Sequence, residues 1–234
     1  MIAGLQKMTL VDYPGKVACT VFLQGCNFKC PFCHNSDLLP RCGEELMSVP
    51  ELIKYLSSRR GLLEGVCVSG GEPTLDKDII ELLREIKALG YSVKLDTNGS
   101  RPDVLKCILD EGLVDHVAMD VKASPLAYPL AIGVEGYSVK PIEESLRLLI
   151  NGSVSYELRT TLVDEIHNEK NIFDMGEWLY NIASPKKANV LYLQSFIDRE
   201  SVIFSGLSAP GEDKIHTYVH ILSEFVENVV IRKG

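Results

Sequence analysis

The stretch GVCVSGGEPTLDKDIIELLREIKALGYSVKLDTNG (residues 65–99) predicts one complete strand–helix–strand unit. Residues 65–69 form a nearly continuous apolar run, which is typical of a strand covered on both faces, and residues 92–96 are the second predicted strand. Between them, residues 76–89 repeat apolar side chains at helical spacing, and Gly90 supplies a stop signal. This order of elements is the signature of a βαβ unit with parallel strands.

The same alternation extends in both directions from this unit. Strands are predicted at residues 17–24, 65–69, 92–96, 114–120, 155–163 and 188–196, and helices at residues 48–61, 76–89, 100–112, 142–150, 171–182 and 213–229. We expect a single α/β domain over residues 1–234, because no Pro/Gly/Ser-rich linker divides the chain. The parallel sheet is predicted to curl into an incomplete barrel, with an open doubly wound sheet as the alternative; either fold places functional groups at the carboxyl ends of the strands.

The composition excludes several classes of protein. With 234 residues, 46% of them hydrophobic, the chain can bury a full core and is not a disordered protein. A net charge of −8 argues against nucleic-acid binding, which needs a surplus of Lys and Arg on one face. The amino-terminal residues lack the pattern of a signal peptide or a membrane span, so we expect a soluble cytoplasmic protein.

Three cysteines lie within eight residues in FLQGCNFKCPFCHNS (residues 22–36), namely Cys26, Cys30 and Cys33. The chain has seven cysteines, an odd number, and no secretory signal, so metal binding is favoured over disulfides. Thiolates at this spacing must converge on one centre, which is zinc or an iron–sulfur cluster. A zinc site would take its fourth ligand from Cys42 or His34, whereas a cubane cluster would leave one iron open to an exogenous ligand.

The other predicted strands end in residues that a buried core would not choose. These are Gly70, Gly71 and Glu72 after the second strand, Asp96 and Thr97 in the third, Asp120 and Lys122 in the fourth, Arg159 in the fifth, and Gln194 in the sixth. Each motif alone is compatible with a structural role: a tight turn, an Asx turn or an ion pair. Because all of them fall at the same end of one predicted sheet, a common functional site is the better interpretation.

Together these residues resemble a known family. Cys26-x3-Cys30-x2-Cys33, with Phe32 before the last cysteine, resembles the signature of the radical S-adenosylmethionine (radical SAM) enzymes. The sequences CHN (33–35), GGEP (70–73), DTNG (96–99) and DVK (120–122) are similar to those of the glycyl-radical-enzyme activases. The segment LQKMTLVDYPG (5–15) resembles activating proteins of anaerobic ribonucleoside-triphosphate reductase, whereas relatives acting on pyruvate formate-lyase tend to have Asp-Gly-Pro-Gly.

The resemblance implies a partial (β/α)6 barrel and two cofactors. A 4Fe-4S cluster would be bound by Cys26, Cys30 and Cys33, and S-adenosylmethionine would chelate the open iron. Phe32 would lie near the adenine, and the backbone of Gly70, Gly71 and Glu72 would hold the methionyl amine. Asp96, Thr97 and Lys122 would fix the carboxylate end, the ribose or a cation; Arg159 and Gln194 would contact the carboxylate and the ribose or adenine. A monovalent-cation site would comprise Asp96, Thr97, the Ala118 carbonyl and Asp120.

The implied activity is that of a radical SAM oxidoreductase. The enzyme would cleave S-adenosylmethionine reductively and remove a hydrogen atom from a glycine of anaerobic ribonucleoside-triphosphate reductase, leaving a glycyl radical. The implied partners are that reductase and a low-potential electron donor such as flavodoxin or ferredoxin. The alternatives are activation of another glycyl radical enzyme of the pyruvate formate-lyase type, radical SAM chemistry of the 7-carboxy-7-deazaguanine synthase type, and a structural zinc-binding module.

Overall fold

A computed structural model of the chain describes residues 1–39 and 45–232. Within these residues the chain forms eight strands, which are β1 (Ile2–Thr9), β2 (Ala18–Leu23), β3 (Gly65–Gly70), β4 (Ser92–Thr97), β5 (His116–Asp120), β6 (Ser155–Leu162), β7 (Ala188–Ser195) and β8 (Val226–Arg232). The same residues form seven α-helices, which are α1 (Val49–Ser58), α2 (Ile79–Ala88), α3 (Pro102–Asp110), α4 (Tyr128–Ile132), α5 (Lys140–Asn151), α6 (Glu169–Ala183) and α7 (Glu212–Ser223). The strands form one sheet in chain order, which makes the chain an α/β protein.

The chain divides into two compact units, which we call unit 1 and unit 2. Unit 1 comprises Met1–Asn27, Asp37–Ala118 and Val154–Tyr156, and unit 2 comprises Phe28–Ser36, Met119–Ser153 and Glu157–Gly234, as far as these ranges are described. The prediction of one domain over residues 1–234 stays a prediction.

Unit 1 is built on β1 to β4. Strands β2, β3 and β4 are parallel, with Thr20 beside Cys67 and Val68 beside Leu95, while β1 runs antiparallel to β2. The first helix, α1, begins at a capping box, in which the Ser48 N–H donates to the Glu51 carboxylate over 2.8 Å. The parallel order of β2, β3 and β4 brings their carboxyl ends to one edge.

Unit 2 contains β7 and β8, most of β6, and the helices α4 to α7. Strands β6, β7 and β8 are parallel, with Arg159 beside Tyr192 and Gln194 beside Arg232. Helices α6 and α7 pack their apolar faces inward, burying Met175, Leu179 and Leu222. The last two residues of β5 also belong to this unit, so Asp120 is described here.

The predicted α/β fold with a mostly parallel sheet is confirmed, and all six predicted strands are present. Two strands were missing from the prediction, β1 and β8. The predicted helix over residues 213–229 is wrong beyond Ser223, because the chain enters β8 at Val226. The β-branched side chains of Val226, Val229, Val230 and Ile231 favour a strand, and pairing with β7 supplies its hydrogen bonds. Among the described residues, none of the helices has the length and apolar character needed to span a membrane.

Candidate active site

The loop after β3 in unit 1 needs both of its glycines. Gly70 has φ +124°, and a Cβ there would lie 2.2 Å from the Leu23 carbonyl oxygen; at Gly71 it would lie 2.3 Å from the Gly25 carbonyl oxygen. The Gly71 N–H donates to Leu23 O over 2.9 Å, and the Glu72 N–H donates to Gly25 O over 2.8 Å. Because an amine is a donor, the predicted contact with a methionyl amine would fall to carbonyl oxygens of this loop rather than to these N–H groups.

Glu72 connects the loop after β3 to the loop after β4. Its buried carboxylate accepts hydrogen bonds from the N–H and hydroxyl of Thr74, from the Thr97 hydroxyl over 2.8 Å, and from the Asn98 N–H over 2.6 Å. Burial raises the pKa of Glu72, while these donors act in the opposite direction. The Glu72 side chain therefore fixes the positions of two loops, and Thr97 is held by the same carboxylate.

Asp96 at the end of β4 is paired with a residue that the sequence analysis missed. The Lys94 ammonium forms an ion pair with Oδ1 of Asp96, and the Ser69 hydroxyl donates to Oδ2 over 3.1 Å. Lys94 is buried, and its Nζ also lies 3.9 Å from the Sγ of Cys67. The signal in the sequence was the two-residue spacing of Lys94 and Asp96, which places both on one face of a strand.

Cys26, the first predicted cluster ligand, belongs to unit 1 and is half-buried. The Asn98 amide donates to its Sγ over 3.8 Å and to the Asn27 Oδ1 over 3.1 Å. The Ser100 hydroxyl also donates to Asn27 Oδ1, over 3.3 Å. The DTNG segment thus holds the chain around Cys26, an arrangement that the sequence motifs did not reveal.

Cys30 and Cys33 lie on one turn of unit 2. The Cys33 N–H donates to the Cys30 carbonyl over 3.1 Å, and the Lys29 N–H donates to the Ile132 carbonyl over 2.8 Å at the end of α4. Phe32, which stands between these cysteines in the sequence, is buried, and its ring centre lies 5.9 Å from the Lys122 Nζ. The cysteine turn therefore lies beside a cation of the same unit.

Asp120 is flanked by two cations in unit 2. Its Oδ2 accepts from the Lys122 ammonium over 2.7 Å, and its Oδ1 accepts from the Arg159 Nε over 2.9 Å. Burial opposes ionisation of Asp120, but Arg159 and Lys122 outweigh it and lower its pKa to about 2. Burial likewise opposes the charge on Lys122, yet Asp120 and Cys30 raise its pKa above the ordinary value. The carboxylate of Asp120 and the two cations Lys122 and Arg159 together carry a net charge of +1.

The Lys122 backbone is held by a histidine that the sequence analysis also missed. Nε2 of the buried His167 lies 3.0 Å from the Lys122 carbonyl, and its Nδ1 accepts from the Val163 N–H over 3.0 Å. Burial lowers the pKa of His167, which favours the neutral ring. Because the carbonyl beside Nε2 can only accept, we assign the proton of the neutral ring to Nε2, while Nδ1 also lies 3.1 Å from the Val163 carbonyl. The Tyr218 hydroxyl in turn donates to the His167 carbonyl over 2.7 Å.

Gln194 lies near the carboxyl end of β7, in register with Thr161 and Arg232. Nearby in unit 2, Arg232 forms two hydrogen bonds with the buried Glu157, of 3.1 and 2.9 Å, and stacks 3.9 Å from the ring centre of Tyr192. The predicted role of Gln194 stays a prediction.

The residues of the zinc alternative are placed as follows. Cys42 lies outside the described residues. The Nε2 of His34 is 2.8 Å from the Ile197 carbonyl, and its ring stacks on Phe196, so a zinc bond would have to use Nδ1. Within residues 1–39 and 45–232, no three His, Cys, Asp or Glu side chains are grouped as the ligands of one metal ion. The three-cysteine ligand set therefore remains a prediction.

The two implied metal groups fit the described residues differently. Cys30 and Cys33 share one turn beside Lys122; burial raises the pKa of the Cys33 thiol, while the Asn35 N–H and Lys122 act in the opposite direction. A cation beside paired sulfurs suits thiolate ligands of iron. A monovalent cation does not fit Asp96, because an ammonium already lies on its carboxylate, and two unit charges about 4 Å apart repel by about 4 kcal/mol at an effective dielectric of 20.

Comparison with known sequences gives consistent relatives. The model of the radical SAM superfamily matches residues 20–173. A protein of Methanocaldococcus jannaschii, provisionally named a glycyl-radical enzyme activating enzyme, is 32% identical over 238 residues, covering 99% of this chain and 95% of the relative. The pyruvate formate-lyase-activating enzyme of Clostridium pasteurianum is 28% identical over 197 residues, covering 81% of this chain and 80% of the relative.

Solved structures show the same fold. A domain of a pyruvate formate-lyase-activating enzyme from Bacteroides vulgatus is similar with a TM-score of 0.57 at 19% identity, over 73% of this chain and 98% of that chain. Streptococcus suis SuiB bound to its precursor peptide SuiA is similar with a TM-score of 0.65 at 12% identity, over 92% of this chain and 48% of that chain.

Proposed function

Because the chain belongs to the radical SAM superfamily, and within it to the glycyl-radical enzyme activating enzymes, we propose that it forms a glycyl radical on an anaerobic ribonucleoside-triphosphate reductase. The family implies a 4Fe-4S cluster and S-adenosylmethionine. The choice of target is supported by the resemblance of residues 5–15 to activating proteins of that reductase. This segment also contributes to the packing of unit 1, because the Asp12 carboxylate accepts from the Thr20 hydroxyl over 2.6 Å and Tyr13 is buried against Gly65.

The observation that carries the proposal is the cationic group beside the cysteine turn of unit 2. The Lys122 Nζ lies 5.9 Å from the ring centre of Phe32, the residue directly before Cys33 in the cysteine turn. Among the side chains of Asp120, Lys122 and Arg159, two positive charges face one negative charge. An anionic group such as the carboxylate of S-adenosylmethionine would restore neutrality through charge-assisted hydrogen bonds.

When bound, the cluster and S-adenosylmethionine would supply one-electron reductive cleavage of the cofactor, with methionine and 5′-deoxyadenosine as its products and a glycine Cα of the partner as the source of the hydrogen atom. The chain's own residues bind and orient. Cys26, Cys30 and Cys33 hold the cluster, Lys122 and Arg159 bind the carboxylate, and carbonyl oxygens of the loop at Gly70–Glu72 accept from the amine. Placement matters because an error of about 1 Å costs on the order of a hundredfold in rate.

The proposal also includes a low-potential electron donor, such as flavodoxin or ferredoxin, and a cytoplasmic location. The donor is required because cleavage of the sulfonium consumes one electron per radical formed. The location rests on the sequence expectation alone.

The first experiment tests the radical SAM chemistry. After anaerobic reconstitution with iron and sulfide, dithionite and S-adenosylmethionine should yield 5′-deoxyadenosine, and Cys30→Ala should lose both the iron and the product. The matched control is Cys107→Ser, an exposed free cysteine of α3 that should retain both. A colourless zinc protein without the product would refute the proposal in favour of a zinc module.

The second experiment tests the target. The reconstituted enzyme is incubated with purified anaerobic ribonucleoside-triphosphate reductase or with pyruvate formate-lyase, and electron paramagnetic resonance is recorded. We expect a glycyl radical on the reductase. A radical on the lyase alone would assign the chain to the other target, and 5′-deoxyadenosine without a radical on either protein would contradict both assignments and favour small-molecule chemistry.

A further inference from the structure

Lys94 in β4 carries a charge that the proposed function does not use. Its side chain is only 2% exposed, and it lies two residues before Asp96 on the same face of the strand. A lysine is rarely buried to this extent unless its charge is paired. The structure supplies that pairing through the Asp96 carboxylate.

Both carboxylate oxygens of Asp96 already accept a donor within unit 1. Oδ1 accepts from the Lys94 ammonium, and Oδ2 accepts from the Ser69 hydroxyl over 3.1 Å. Thr97, the next residue, donates its hydroxyl to Glu72 over 2.8 Å. An alkali cation coordinated by Asp96 and Thr97 would have to displace or repel the buried ammonium.

We propose that Lys94 takes the place of an alkali cation at Asp96, so that the unit 1 residues of the candidate site hold their geometry without any inorganic cation. The same reasoning predicts that a variant without the Lys94 ammonium would bind an alkali cation. Replacing Lys94 with Met removes the ammonium but leaves the carboxylate and hydroxyl oxygens, which are the ligands that Na⁺ and K⁺ prefer. The variant should therefore acquire a dependence on alkali cations that the wild-type protein lacks.

The first arm of the test is thermal unfolding of the anaerobic holoprotein without S-adenosylmethionine. Wild type and K94M are compared in potassium, sodium and choline chloride at one ionic strength of about 0.1 M, so that screening is constant. We expect the wild-type midpoint to be the same in all three salts. For K94M it should rise by about 5 °C from choline to the better alkali cation, because a ligand that binds only the folded state stabilises it.

The second arm, which rests on the proposed function, is the affinity for S-adenosylmethionine in the same salts. Wild type should bind equally in all of them, whereas K94M in choline should bind at least about tenfold more weakly and recover in sodium or potassium. The matched control is K87M. Lys87 pairs with Asp115 over 2.9 Å in the same unit but at a more exposed position, and its loss should create no cation response.

Two results would overturn the inference. One is a wild-type protein whose midpoint changes between choline and alkali salts, and the other is a folded K94M that is as indifferent to the cation as wild type. The wild-type measurement needs no variant, so the inference can fail even where K94M does not fold. The thermal arm uses neither S-adenosylmethionine nor a partner protein, so it does not depend on turnover, whose own failure would appear as missing 5′-deoxyadenosine.

Discussion

Asp96 in unit 1 and Asp120 in unit 2 both lie at the carboxyl end of a strand, and each forms an ion pair with a lysine two residues away. Within the described residues, Asp96 forms an ion pair with the buried Lys94. Asp120 forms ion pairs with Lys122 and Arg159, whose side chains are 15% and 16% exposed. The first group is therefore electrically balanced and closed, and the second is cationic and still accessible.

This difference separates a charge that maintains structure from a charge that is available to a ligand. A buried one-to-one pair gains little from an added ion, but removing either partner leaves an uncompensated charge in a medium of low dielectric. A group with one cation in excess can accept an anion at little cost. Glu72 represents a third arrangement, since four hydrogen bonds from Thr74, Thr97 and Asn98 hold it.

The most direct test of the difference between the two aspartates is to neutralise each of them. Asp96→Asn should cost about 3–5 kcal/mol of unfolding free energy, because it leaves the Lys94 ammonium buried without its carboxylate. Asp120→Asn should cost less, since Lys122 and Arg159 can turn to water. Urea unfolding of the anaerobic holoproteins measures both. The control is Asp110→Asn, whose partner Lys106 is exposed and which should change the free energy by about 0.5 kcal/mol or less.

An Asp120→Asn variant as unstable as Asp96→Asn would show that the two groups are equivalent in their contribution to stability. The distinction between a structural and a ligand-binding charge would then be wrong.

The next largest effect concerns the acid held by hydrogen bonds alone. Glu72→Gln replaces one acceptor oxygen with an NH2 group that must face a donor, from Thr74 and Thr97 on one side or from Asn98 on the other. We expect a loss of about 2 kcal/mol in the unfolding free energy, measured with urea. Glu81→Gln, an exposed change on α2, should cost far less. Equal stability of the two variants would contradict the role of Glu72 in joining the loops.

The fold was predictable where the sequence alternates between buried strands and amphipathic helices. The strand–helix–strand segment at residues 65–99 shows this alternation, and β3, α2 and β4 appear where expected. β1 was missed because its middle residues are partly or fully exposed and show no regular alternation. β8 was missed because its valines also fit the apolar stripe of a helix, and only pairing with β7 decides between the two.

The candidate site was predictable only where its residues are close in sequence. Asp120 and Lys122, two residues apart, were both predicted as site residues, and the same two-residue spacing from Asp96 would have indicated its partner Lys94. Contacts between distant segments could not be predicted. Asp96 meets Ser69 across 27 residues, and Lys122 meets His167 across 45, because strand pairing and helix packing, which a single sequence does not show, bring them together.

A third prediction tests whether the second cation beside Asp120, Arg159, is needed for ligand binding. Arg159→Met leaves Asp120 with Lys122, a balanced pair like that of Asp96. We expect the affinity for S-adenosylmethionine to fall about tenfold, equivalent to about 1.4 kcal/mol, with a smaller change in unfolding free energy. Equilibrium binding and urea unfolding of the same holoprotein measure the two quantities. Arg147→Met, an exposed arginine of unit 2, is the control; unchanged affinity with lost stability would make Arg159 structural.

The smallest effect expected is a pH dependence that originates at His167. Burial lowers the pKa of this histidine, so between its folded pKa and about 6.5 the unfolded chain binds more protons than the folded one. Stability should therefore fall as the pH drops below about 6.5, with a slope of at most about 1.4 kcal/mol per pH unit. His167→Gln can still donate to the Lys122 carbonyl but does not titrate, so its stability curve should be flatter over this range.

The comparison of slopes is informative because His34, whose pKa burial also lowers, contributes equally to both proteins and cancels. A proton added to His167 would go to Nδ1, which would then lose its acceptor role toward the Val163 N–H and could donate only to the Val163 carbonyl, 3.1 Å away. It would also add a charge to a unit in which Asp120 is already outnumbered by Lys122 and Arg159. Parallel curves for wild type and variant would show that His167 does not remain neutral through burial, and unit 2 would then tolerate more positive charge than its geometry indicates.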